Sequence, residues 1–149
     1  EEISSITFFK NKAKNIREAC KMLIEKFGGK VPGTMEELVT LPGIGRKTAN
    51  AILINAFNKI LGIVVDVHVI RLSYRLGLTK NTNPEKIEKD LMSVVPKSEW
   101  KSITWLLKDH GRAVCKAPVP VCNKCVLNKV CPKQGVTEKF RYHRQIAFE

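Results

Sequence analysis

Apolar positions recur at helical spacing in six stretches of the chain, and strand-type alternation is almost absent. In "KAKNIREACKMLIEKF", Ile16, Ala19, Cys20, Leu23, Ile24 and Phe27 fall at helical intervals before Gly28-Gly29 ends the run, which predicts an amphipathic helix with Cys20 in the core. Thr34 followed by Glu37 is a capping-box pattern and predicts a short second helix. A third helix is expected from near Arg46 to about Phe57. "DVHVIRLSYRLG" predicts a fourth, capped by Asp66 and closed by Gly77, and "NPEKIEKDLMSVV" a fifth, with Asn83 as cap and Pro84 in its first turn. "SEWKSITWLLKDHGRAV" predicts a sixth, with Trp100, Trp105 and Leu106 in the core. Only "GIVV" (62–65) reads as extended, and four residues before a cap predict a buried connection, not a sheet. The fold class is all-α.

Composition and charge then narrow the function. The 149 residues are 44% apolar, enough to bury a sizeable core in one domain or two small ones. Against 14 Asp+Glu stand 26 Lys+Arg, and a net charge of +12 points to a polyanionic partner, nucleic acid before an anionic membrane surface. No stretch approaches the roughly 20 apolar residues that span a bilayer, and "EEISSITFFK" is unlike a signal peptide. An intracellular protein is expected: cytoplasm or nucleoid in a prokaryote, nucleus or mitochondrion in a eukaryote. The chain opens without Met, which predicts processing or a fragment.

"LPGIGRKTANAIL" (41–53) joins the second and third helices. Gly43 and Gly45 permit positive φ and close approach of another surface, and Pro42 fixes the direction of the chain. N–H groups at the start of the third helix would face an anion, beside Arg46 and Lys47. Taken alone, a G-x-G of this kind is more often a tight helix-helix turn.

With "VVDVHVIRL" downstream, this stretch resembles the endonuclease III branch of the helix-hairpin-helix (HhH-GPD) DNA glycosylase family, and the resemblance runs from about Lys10 to Pro132. It implies removal of oxidised pyrimidines from duplex DNA and cleavage of the strand at the resulting abasic site. Lys47 falls on the family's nucleophile and Asp66 on its essential carboxylate, with a slightly longer interval between them around "NKILG". The adenine-removing branch usually has serine at the lysine position and a thymine-mismatch branch tyrosine, so Lys47 favours the bifunctional enzyme. By the resemblance, Gly43, Ile44, Gly45 and Arg46 are expected to meet DNA.

Elementary chemistry agrees with those roles. The positive end of a helix dipole disfavours the charged form of a lysine in the first turn, and desolvation acts the same way. A free amine there can attack the sugar C1′ and form a Schiff base that permits β-elimination. Asp66 at its own helix start is expected to stay ionised and to stabilise positive charge on the sugar or assist proton transfer. His68, two residues on, is a candidate for orienting the site or touching phosphate, although it and His110 are more often packed or hydrogen-bonded.

"CKAPVPVCNKCVLNKVC" gives Cys115-x6-Cys122-x2-Cys125-x5-Cys131. Four close cysteines in an intracellular chain point to a metal rather than disulfides, and spacing alone leans to zinc. The resemblance implies a [4Fe-4S] cluster instead, because the same spacing and order occur in that family. From Arg112 to Arg144 there are eight Lys/Arg and one acid, Glu138. Part of that charge offsets the thiolates and part, including Lys116 and Lys124, is expected to meet phosphates. The cluster is thus expected to brace a basic loop. "FRYHRQIAFE" is a basic-aromatic tail that would touch DNA or fray.

The resemblance implies a partial helical barrel with the hairpin (41–47) over residues 1–65, a helical domain closing with the cysteine loop (115–131) over 66–132, and a basic tail over 133–149. The family's early barrel helices lie upstream of "KAKNI", where this chain has about a dozen residues. The barrel is therefore expected to be incomplete, its remainder truncated, lost or supplied by another chain. Two alternatives stay open: a non-catalytic DNA-binding module, and a mismatch-specific glycosylase of the same family. The expected partner is double-stranded DNA with a damaged base or an abasic site, and no membrane.

Overall fold

The computed structural model describes residues 3–136, so the tail reading lies outside the described residues. Six α-helices are present among them and no strand: α1 (Phe9–Phe27), α2 (Met35–Leu38), α3 (Arg46–Phe57), α4 (Val67–Arg75), α5 (Pro84–Val94) and α6 (Trp100–Ala113). Short 3-10 turns cover Lys97–Glu99 and Cys122–Lys124. The chain divides into two compact units, Glu1–Leu61 and Gly62–Glu149, each with its own core.

In the first unit α2 packs on α3, and Leu38, Leu41, Ala49 and Leu53 form the core. α1 covers it with Ala19, Leu23 and Phe27, residues four apart on one row of the helix. The neighbouring row, Ile16, Cys20 and Ile24, is exposed, with Ile24 at 70%. Cys20 is thus not a core residue as its helical spacing suggested, because the core of this unit meets only one of two adjacent apolar rows.

In the second unit α4 packs chiefly on α6 and next on α5. Ile63, Val65, Val69, Leu72, Ile87, Leu91 and Leu107 are buried together. The "GIVV" stretch is the expected buried connection: Ile63 and Val65 anchor it, and Val64 O accepts from Thr104 Oγ1 at 3.1 Å. Trp100 packs against the core and its indole Nε1 donates to Val95 O at 2.9 Å. Trp105 and Leu106 are exposed, contrary to expectation. The buried stripe of α6 is Thr104, Leu107 and Gly111, and the two residues between its first members turn away from it.

Candidate functional site

Thr34 caps α2 by accepting from Glu37 N at 3.3 Å, and its hydroxyl donates to the Glu37 carboxylate at 2.6 Å. The turn after α2 is anchored by buried Leu41 and half-buried Ile44, with Ile44 N bonded to Leu41 O at 3.0 Å. Gly43 has φ +79°, and a Cβ there would lie 2.9 Å from the side chain of Asn15 on α1. Gly45 departs from the expectation of positive φ: it is extended at φ −88°, ψ 174°, and open space surrounds its Cα. As the N-cap of α3 its carbonyl accepts from Ala49 N at 2.9 Å, but it has no side chain to cap the helix start. Arg46 and Lys47 follow as the first two helical residues, both exposed. Lys59 closes the unit by donating to Gly33 O at 2.7 Å.

Asp66, in the second unit, is the N-cap of α4. Its Oδ1 accepts from His68 N at 2.8 Å and from Val69 N at 2.9 Å. Buried Val65 before it and Val69 after it hold the cap in place. His68 is half-buried, with Nδ1 3.1 Å from Arg71 Nη2. Arg71 also donates to Gly111 O at 3.0 Å and Cys115 O at 3.2 Å, which ties the first turns of α4 to the start of the cysteine loop. A Cβ on Gly111 would lie 3.0 Å from the His68 ring, so this glycine is needed for the close crossing of α4 and α6.

Cys115, Cys122, Cys125 and Cys131 line one recess, together with Leu72, Arg75, His110 and Asn128. Arg75, only 2% exposed, donates to Lys116 O at 2.8 Å, Pro118 O at 3.0 Å and Cys115 Sγ at 3.4 Å. His110 Nε2 lies 3.3 Å from Cys125 Sγ, and Lys133 N donates to Cys131 Sγ at 3.4 Å. Among the described residues no three His, Cys, Asp or Glu side chains converge closely enough to hold one metal ion. Zinc needs sulfurs at about 2.3 Å from a common centre. Four thiols line this one recess, with Arg75 and Lys133 N donating to two of their sulfurs, a donor set that suits a metal ion or an iron–sulfur cluster. Lys116 and Lys124 are exposed on this loop. Among the described residues no helix is long and apolar enough to cross a membrane.

Arg71, Arg75 and Asn128 were not singled out from the sequence. Arg75 did leave a signal there, since it sits three residues after Leu72 on the stripe that α4 buries. A cation at such a position needs partners, and here they are carbonyls some forty residues away.

A helical hairpin with cations at the start of its second helix, a carboxylate cap, and a four-cysteine loop define a class, and comparison with known proteins agrees. Residues 1–97 match the family described as HhH-GPD superfamily base excision DNA repair protein, and the chain belongs to that family. The chain is 53% identical over 132 residues to an endonuclease III of Synechocystis sp., a match covering 89% of this chain and 60% of that protein. It also resembles the structure of an endonuclease III trapped as a covalent DNA intermediate (43% identity, TM-score 0.83, 89% of this chain and 62% of the other). A thermostable thymine-DNA glycosylase is more distant (26% identity, TM-score 0.76, again 89% and 62%). The chain thus spans about 60% of the length of the curated relatives it matches.

Proposed function

We propose that this protein is a bifunctional DNA glycosylase that removes oxidised pyrimidines from duplex DNA and cleaves the abasic site through a lysine Schiff base. The observation that carries the reading is the placement of Lys47 in the exposed first turn of α3, whose N-cap Gly45 brings no capping side chain, directly after the Gly43 turn. Its support in comparison is the similarity to an endonuclease III that has been trapped covalently on DNA.

The turn from Gly43 to Arg46 brings backbone to the phosphates, with the N–H groups of the helix start as donors. Lys116 and Lys124 add phosphate contacts from the cysteine loop. A nucleotide rotated out of the stack exposes its C1′, and damage lowers the cost of unpairing. The Lys47 amine forms a bond to C1′ as the bond to the base breaks, and the base leaves with a proton; the C1′–O4′ bond then opens, O4′ takes up a proton, and the C1′–N bond becomes an imine. The resulting imine acidifies the C2′ hydrogens; loss of one expels the 3′ phosphate, and water then releases Lys47. Asp66, fixed by two N–H donors, stabilises positive charge on the sugar and assists these proton transfers. Cys115, Cys122, Cys125 and Cys131 would hold a [4Fe-4S] cluster, which when bound supplies a rigid, redox-active brace for the basic loop.

Borohydride trapping on an abasic-site duplex tests this. The wild-type protein should give a covalent protein–DNA band and Lys47→Ala none. DNA-bound, cluster-loaded wild type that gives no band would leave a binding module without lyase chemistry.

A further inference from the structure

One buried polar atom beside the cysteines lacks the partner that burial requires. Asn128 lines the four-cysteine recess, and its Oδ1 is buried without a hydrogen-bond partner among the described residues. Its backbone N–H is already used, bonded to Cys125 O at 3.0 Å, so the residue is held close to the ligand loop. A carbonyl oxygen left unpaired in such a place is unfavourable, because burial removes its water without supplying another donor. Half a turn about the Cβ–Cγ bond exchanges Oδ1 and Nδ2 without changing the shape of the side chain, and puts two N–H donors where the oxygen stood.

The neighbouring sulfurs show what such a donor would do. Cys115 Sγ receives Arg75, Cys131 Sγ receives Lys133 N, and Cys125 Sγ lies beside His110. Cys122 Sγ has no such nitrogen among the described residues, and a bound cluster would add inorganic sulfides that accept as well. Donors to cluster sulfurs stabilise the more negative oxidation state and raise the reduction potential.

We propose that Asn128 turns its carboxamide N–H into the recess and donates to a sulfur of the [4Fe-4S] cluster, raising the potential at which the cluster accepts an electron. This rests on the cluster assignment made above. Asn128 is in this sense a positioning and tuning residue, not a catalytic one.

The test is voltammetry on the intact, cluster-loaded protein, comparing wild type with Asn128→Leu, which keeps the volume and removes the N–H. Iron, acid-labile sulfide and the visible absorption of the cluster are measured on the same samples. A more negative midpoint in Asn128→Leu at equal iron and sulfide is expected; an unchanged midpoint overturns the proposal. Should the variant not load, the wild type decides. Labelled with 15N only in asparagine side chains, its paramagnetic cluster should show an amide-nitrogen coupling by pulsed EPR, and its absence overturns the proposal. Wild-type protein that carries zinc, or no sulfide, overturns the cluster assignment and this inference with it, whereas iron-loaded protein with an unchanged midpoint overturns only the role of Asn128.

Discussion

The hairpin of the first unit and the cysteine loop of the second are built in opposite ways. The hairpin depends on neighbours in sequence: Thr34 reaches Glu37, Ile44 reaches Leu41, and Gly45 accepts from Ala49. Its chemistry stands on an exposed helix start. The cysteine loop depends on side chains from far away, with Arg71 and Arg75 of α4 holding carbonyls of residues 111–118. The lysine proposed to react is thus offered on a locally determined turn, while the loop depends on the rest of its unit being folded. Substitutions in the hairpin should therefore change function more than stability, and those beneath the loop the reverse.

The largest separation is expected at Lys47. Lys47→Gln in the intact protein should lower strand cleavage at an abasic site by roughly 10³-fold or more, since the proposed nucleophile is gone. Its unfolding free energy should change by no more than about 0.5 kcal/mol, because the side chain is exposed. Single-turnover cleavage and denaturant melts on one preparation check both halves.

Arg75→Met should show the opposite profile. It removes the buried guanidinium that donates to the carbonyls of Lys116 and Pro118, a loss of about 1–3 kcal/mol. Iron bound per protein should fall with it, read from cluster absorption and metal analysis. A stable, fully loaded Arg75→Met would break the contrast between the two regions.

The local character of the hairpin also explains what could be read from sequence. The helix starts at Thr34, Asp66 and Asn83, and the beginning of α3 at Arg46, are fixed by caps and turns within four residues, so spacing alone located them. Cys20 and Trp105 were misplaced because helical periodicity shows that a face is apolar without showing how wide a face its unit covers. Asn128 and Arg75 were missed for a related reason: their surroundings come from residues distant in the chain, and no short pattern encodes them.

The two hairpin glycines divide by a smaller effect. Gly43→Ala places a Cβ at positive φ and 2.9 Å from Asn15, at a cost of about 1–2 kcal/mol for the left-handed backbone besides any shift of Asn15. Gly45→Ala meets open space at φ −88° and should stay within about 0.5 kcal/mol of wild type. If backbone at Gly45 approaches a phosphate, its variant nonetheless weakens DNA binding in titrations at fixed salt. Equal loss of stability in both variants would show that the turn is less local than its hydrogen bonds indicate.

The smallest expected effect lies away from both sites and calibrates them. Asp90 on α5 accepts from the Thr79 hydroxyl and from Asn81 Nδ2 at 2.7 Å, pinning the segment after α4 to α5. These hydrogen bonds, that of Thr79 foremost, hold its carboxyl below the ordinary carboxylate value of 3.8, against a weaker opposing effect of desolvation. A carboxylate whose pKa is lower when folded stabilises the protein above its unfolded pKa, and that contribution is lost as pH falls through the folded value. Melting temperature should therefore drop on acidification through and below the usual carboxylate range, and Asp90→Asn should remove part of the drop while lowering stability slightly at pH 7. Strand cleavage near neutral pH should be unaffected, because Asp90 is ionised throughout that range. A change in cleavage without a change in melting would show that Asp90 bears on the chemistry proposed for Lys47, and the separation of local chemistry from long-range support would fail.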